Sequence, residues 1–442
     1  MNTGPSRTSV WAREGTTHRP AGRTAERRTR QLSFLIAAAL AYTSMPAMVS
    51  LVQNGRQYDL ANSTSSVVLT AFAEGMRTPL AVVLIGVCIV IVLQNAAQSA
   101  HQRAGRLLLV IGALAAMVIM DVLISGSFND AALLLILIAI TVWTMGLASP
   151  DLRILGVVAG IVSVGSLVLA LFWPAAWQQN DEKGFLGEDV LAGAFSQMNV
   201  LGIALAVLLP FALLLRTRTM RWTVMVASVL TLFLAASRTS LIAAGISVLV
   251  MLVLRVQKQA VARTATIWMA AGAVIVMVIL LPLITDDRGA FTSRGAIWIN
   301  TRGFAAESWA TGHGLETFRF GGPLYQVTHM PAAHAHNLFL HYVAMMGLLG
   351  LVTLVVLVLP AVRAAANASS TRIAFAGSVT AMLGLGIAEV PLRVETFDGP
   401  AWATWLVWFC LLFVALDDRG VHADAWSARS QSSQRAGKDV GD

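Results

Sequence analysis

Residues 222–254 read WTVMVASVLTLFLAASRTSLIAAGISVLVMLVL. As one straight helix this stretch would run about 50 Å, whereas the hydrocarbon core of a bilayer is about 30 Å thick. The stretch must therefore turn back on itself. The polar residues that permit a turn sit at its middle, in Ala235-Ala-Ser-Arg-Thr-Ser240. Two helices of about 21 Å each then meet at a turn carrying Arg238, below the membrane surface. An arginine at that depth is costly and faces a polar cavity unless it snorkels to the headgroups.

Apolar runs of the same kind recur along nearly the whole chain. Of its 442 residues 57% are hydrophobic and 12% charged, against about 25% charged in soluble domains. The solvent is therefore mostly lipid, and the expected fold is all-α, a polytopic bundle of about 12 transmembrane spans. Spans are expected near 33–52, 79–95, 107–126, 131–149, 154–174, 195–215, 222–236, 241–254, 266–285, 338–360, 373–391 and 400–416. The segment 60–78 is less apolar; it lies along the surface or lengthens the second span. Glycines such as Gly156, Gly160, Gly245, Gly384 and Gly386 are expected to pack helices closely. Cys88 and Cys410 each lie inside an apolar run, a pattern that suits small buried residues rather than a disulfide or a metal set.

Orientation follows from charge. Residues 1–31 form an Arg-rich tail with Arg7, Arg13, Arg19, Arg23, Arg27, Arg28 and Arg30, and such a segment before an apolar run is held in the cytoplasm. Arg27-Arg28 also resembles an export signal, but the run that follows is long enough to span. With the N-terminus inside, nine of the 31 Lys and Arg residues fall outside and 22 inside, and the C-terminus returns inside. The net charge of +8 is thus an orientation signal, not a footprint for nucleic acid. The polar tail 417–442 is expected to be disordered. Residues 32–194 form an N-terminal set of helices and 195–416 a second region with one long non-cytoplasmic loop, 286–337.

Function is sought where this pattern breaks. Arg56, Arg77 and Arg393 stand near span ends and are read as meeting headgroups. The loop 286–337 holds Arg288, Arg294, Arg302 and Arg319, with five of the eight histidines in it or at its edge: His313, His329, His334, His336 and His341. Thr292-Ser293-Arg294 suits a helix start, and 294–310 suits an interfacial helix lying on the membrane and ended by Gly312. Its N-terminus, with Arg294 in the first turn, would receive an anion. Pro331 then breaks the chain before Ala333-His-Ala-His-Asn337, which opens the next span and sets His336 at the water–lipid boundary as a candidate base. Whether His336 and the two arginines meet is not decided by spacing.

These three sites, in this order, resemble the O-antigen ligase and O-antigen polymerase family of bacterial membrane glycosyltransferases. The matching residues are Ser237-Arg238-Thr239, Ser293-Arg294 followed by Trp298, Gly312-His-Gly314 followed by Phe318, and His336-Asn337-Leu338 followed by Gly347-Leu-Leu-Gly350; Met198-Asn-Val-Leu-Gly202 resembles an earlier family segment. The likeness covers roughly 195–360. It departs where the family often has an acidic residue before the Gly-Leu-x-Gly pair, since this chain has Met345-Met346 there.

The resemblance implies a type C glycosyltransferase-like fold in a bacterial cytoplasmic membrane and transfer from an undecaprenyl-diphosphate-linked glycan to a glycan, lipid or protein acceptor. By analogy Arg238 and Arg294 hold the diphosphate and His336 takes the acceptor proton, with inversion. Arg302, Arg319 and Asn337 are further candidate substrate contacts, and helix grooves take the polyprenyl chain. The scheme needs no metal and no cofactor: Asp286-Asp287 lacks the spaced Asp-x-Asp pattern, and His334-x-His336 has no outside Cys to complete a zinc set. The rival readings are a multi-span transporter or lipid-linked glycan flippase, which would show related halves, and a non-catalytic partner of envelope assembly.

Overall fold

In the computed structural model the residues described are 20–59, 64–99, 104–126, 128–180, 188–329, 332–368 and 371–414. The acidic residues Asp181 and Glu182, Lys183, Pro331 and the tail 417–442 lie outside them.

Each of the twelve expected apolar segments contains a helix, although the one expected over 373–391 stops at Leu385. Helix α1 (Pro20–Asn54) extends back into the Arg-rich segment, and the short α2 (Ala71–Gly75) runs into α3 (Arg77–Ser99), so part of 60–78 lengthens the second span. Next come α4 (Gly105–Ser125), α5 (Asp130–Met145), α6 (Arg153–Phe172), α7 (Met198–Leu208, continued by a 3-10 turn), α8 (Arg218–Leu234), α9 (Arg238–Val256) and α10 (Ala260–Ile284). The long loop carries α11 (Ala290–Glu307) and α12 (Pro323–Thr328), followed by α13 (Leu338–Asn367), α14 (Arg372–Leu385) and α15 (Ala401–Phe413). By length and composition seven helical stretches qualify to cross a membrane, and four further apolar helices are shorter.

Two departures from the all-α expectation lie in loops. Strands β1 (Gln57–Asp59) and β2 (Thr64–Ser66) pair antiparallel, as do β3 (Trp177–Gln179) and β4 (Asp189–Leu191). Gln178 and Gln179 hydrogen-bond Ser65, joining the two ribbons.

The connections sort into two groups by contact. Arg27 reaches Asn95 Oδ1 (3.0 Å), Arg28 pairs with Asp151 (2.8 Å), Arg153 donates to the Leu214 carbonyl and Thr371 to Ser149. The other group joins Asn129 to the Glu395 carbonyl, the Leu315 amide to Asp121, and Arg56 to the carbonyls of Ala175, Phe195 and Ser196. Successive connections alternate between the groups, as helices that cross back and forth require.

Arg56 thus does not reach out to headgroups. Four backbone carbonyls surround it, and burial lowers its pKa to about 10, so it stays charged and fastens two loops. Among the glycines, Gly156 lies against the Phe211 carbonyl and Gly160 against Val224, so a Cβ would clash at both; Gly245 meets nothing within 4 Å and is not a packing residue.

Helix α13 is broken at Gly347 (φ 54°, ψ −130°). The break frees backbone carbonyls, and the loop motif Gly312-His-Gly314 takes them: His313 N and Gly314 N donate to Met345 O (3.1 and 2.8 Å), while Leu348 N donates to Ala310 O (3.1 Å). A Cβ on Gly312 or Gly347 would sit within about 2.5 Å of the facing backbone. The two glycine motifs are therefore halves of one docking joint that satisfies backbone groups a broken helix leaves open.

Candidate functional site

The turn between α8 and α9 passes through Ala236 in the left-handed region (φ 48°) and opens α9 on Arg238. At 17 and 19 residues the two helices are about 26 and 29 Å long. The turn therefore lies nearer the surface than two 21 Å helices would put it, and Arg238 is exposed.

Facing this turn, Phe291, Thr292 and Ser293 take φ values of 54°, 61° and 64°, so regular helix in α11 begins at Arg294. Three successive left-handed non-glycine residues cost roughly 1–2 kcal/mol each. Thr292 does not supply the expected side-chain cap. Its hydroxyl accepts from Arg238 Nη1 (3.2 Å), while Arg294 Nη1 donates to Thr239 Oγ1 (2.9 Å). Each arginine thus bonds a threonine within two residues of the other arginine. This reciprocal clasp unites two sites 56 residues apart in sequence.

Arg294 also forms a short ion pair with Glu389. Glu389 follows α14 in the irregular segment 386–400, which had been assigned in part to spans; Gly384-Leu-Gly386, Pro391 and Gly399-Pro400 explain why the helix stops. The other carboxylate oxygen of Glu389 lies 3.4 Å from His336 Nδ1 and 3.8 Å from His334 Nε2. His336 adopts φ 50° and is clamped from both sides: its N–H donates to His334 Nδ1 (3.1 Å), and its carbonyl accepts from Trp298 Nε1 (3.2 Å). Arg238, Arg294 and His336 are therefore brought together, with Glu389 as the carboxylate that the sequence reading missed.

Trp298 is fully buried and Phe304 nearly so, whereas Trp309 is exposed, so α11 packs part of its apolar face against protein. It ends at Glu307, five residues before Gly312.

His334, His336 and Glu389 line a cavity of about 390 Å³. Arg77, Asn199 and Asp398 line it as well. Arg393 lines it too. It pairs with Glu395 (2.6 Å), whose other oxygen meets His341 (3.1 Å). Burial alone would raise the Glu395 pKa; His341 and Arg393 more than reverse this and hold it well below the usual carboxylate range. Arg393 and His341 are thus tied into a buried network.

The ligating atoms of His334, His336 and Glu389 lie within 4.8 Å of one another, a spacing that invites a metal. The tautomer argues otherwise. Because His334 Nδ1 accepts from the His336 amide, its proton sits on Nε2, the atom that would have to ligate. A metal would need that proton to leave and the backbone bond to break, so the cluster does not fit a resident ion.

Burial, then the neighbouring His336 and Arg393, hold the His334 pKa well below 6.5. A histidine kept neutral when folded binds more protons when unfolded, so its stability contribution is full above pH 6.5 and is lost as pH falls toward the folded value. Glu395 acts only below its own ordinary pKa of 4.5. Between pH 6.5 and 5, therefore, stability should fall by up to about 1.4 kcal/mol per pH unit on account of His334. His334→Asn, which keeps an acceptor near Nδ1, should flatten that slope in thermal unfolding. An unchanged slope would refute the assignment.

The remaining candidates are engaged elsewhere. Arg302 pairs with Asp286 (2.9 Å) and the Leu283 carbonyl, and exposed Arg319 with Glu316 (2.9 Å). Asn337 is fully buried. Its Oδ1 caps α13 at Leu340 N, and its amide donates to the Val278 and Ile387 carbonyls, which leaves it a frame residue rather than a substrate contact. Asn337→Ala should cost about 2 kcal/mol or more in denaturant unfolding, because it removes a cap and strands two buried carbonyls; a loss below half that would deny the tether.

A family model described as O-antigen ligase matches residues 223–355. No curated protein matches the chain. The matched segment runs from α8 into α13 and contains Arg238, Arg294, His336 and both halves of the glycine joint, whereas Glu389 lies beyond it. Over residues 223–355 the chain is therefore similar to the O-antigen ligase family.

Proposed function

We propose that this protein transfers a glycan from undecaprenyl diphosphate to an acceptor hydroxyl on the non-cytoplasmic face of a bacterial cytoplasmic membrane, as a ligase or polymerase. In this reading the twelve apolar helices cross the membrane and both termini are cytoplasmic. The observation that carries it is the reciprocal Arg238–Thr292 and Arg294–Thr239 clasp beside His336 and Glu389.

Two guanidiniums side by side suit a diphosphate, since arginine keeps its charge and offers forked donors to phosphate oxygens. The acceptor oxygen attacks the anomeric carbon as the bond to the diphosphate oxygen breaks, with inversion. Negative charge grows on the leaving diphosphate, where Arg238 and Arg294 stabilise it. The acceptor proton passes to His336. The imidazolium then faces the Glu389 carboxylate, which offsets its charge without a metal or cofactor. Arg77, Asn199 and Asp398 supply polar groups in the cavity for sugar hydroxyls.

Reconstituted protein, supplied with undecaprenyl-diphosphate-linked glycan, acceptor extract and chelator, should release undecaprenyl diphosphate, and Arg238→Ala should slow that release. Carrier movement across vesicles with no release would instead make the protein a flippase.

A further inference from the structure

Between α1 and α3, at the end of the bundle where Arg27 and Arg28 are anchored, lies an open groove of about 900 Å³. It has two tiers. One end is lined by Arg27, Arg30, Gln31 and Gln94, the other by Phe34, Gly86, Val87 and Val90. The polar end is a built network: Arg27 donates to Asn95 Oδ1, Asn95 to Gln31 Oε1 (3.2 Å), and Gln31 to Gln94 Oε1 (2.9 Å). The apolar end faces outward, with Phe34 and Val90 more than half exposed, and a Cβ on Gly86 would meet nothing within 4 Å.

Polar side chains at the lipid-facing rim of a span are expensive unless a headgroup satisfies them. Among the described residues lining the groove, Arg27 and Arg30 are opposed by one acid, Glu26, in an exposed i,i+4 pair with Arg30. Such a pair is weak enough to open for a stronger partner. We propose that this groove binds one anionic glycerophospholipid, its phosphate on Arg27 and Arg30 and one acyl chain over Gly86 and Val90. The continuous apolar floor selects a lipid over free phosphate, and the net positive rim selects an anionic headgroup over choline. The site is separate from the transfer site and does not depend on that reading.

The full chain in neutral detergent would be titrated with phosphatidylglycerol, phosphatidylcholine or inorganic phosphate, with bound lipid read by native mass spectrometry and melting followed in parallel. Phosphatidylglycerol should be retained and should raise the melting temperature; the other two should not. The double variant R27Q/R30Q should lose affinity by about 30-fold, given the worth of two arginines at a lipid surface, and added salt should mimic it. Gly86→Leu should abolish retention without lowering the lipid-free melting temperature. Gly112→Leu, on α4 and equally open, should leave retention intact. Equal retention of choline lipid, equal stabilisation by inorganic phosphate, or full retention in Gly86→Leu would each overturn the proposal.

Discussion

Arg294→Ala is expected to lower release of undecaprenyl diphosphate by about a thousand-fold, the upper range for removing one donor to a developing anion. Arg294 is the hub of the cluster: one nitrogen holds Thr239 and another holds Glu389. The variant therefore also leaves a nearly buried carboxylate without its cation, and breaking such a pair costs about 3–5 kcal/mol. The two effects are separable. The double variant Arg294→Ala/Glu389→Gln removes the orphaned charge and should recover most of the stability but none of the turnover. Recovery of turnover along with stability would mean that Arg294 only holds the fold together. Arg294→Lys keeps the charge but not the fork and should fall between wild type and Ala.

His336→Ala should cut turnover by about a hundred- to ten-thousand-fold, the span attributed to a lost general base. The loss should appear in kcat, with the donor KM little changed, because the diphosphate clasp does not use the imidazole. Since His336 opens on a cavity of about 390 Å³, added imidazole should enter and restore part of the rate. A variant that turns over at the wild-type rate would remove His336 from the chemistry and leave the clasp as a binding device alone.

The helices and the three principal candidate residues were legible in the sequence for different reasons. Apolar runs locate helices because lipid leaves no alternative for the backbone, and each of the twelve expected segments contains one. Arg238, Arg294 and His336 stood out because each breaks an apolar or helical pattern. Glu389 did not. It is a single acid in a largely apolar stretch, and its partner lies 95 residues earlier. Arg56 and Arg393 were misread for the same reason: a lone arginine at a span end carries no record of whether carbonyls or a carboxylate await it. The left-handed run 291–293 was also invisible, since Phe, Thr and Ser give no local reason to adopt it.

The break in α13 has a mechanical consequence. Its first nine residues, 338–346, are capped by Asn337 at one end and accept two loop amides at Met345 at the other, while Leu348, just past the break, donates to Ala310. The loop is thereby stitched to both sides of the break. A side chain at 347 would press on Trp309 and Ala310, and so would part loop and helix on both sides at once.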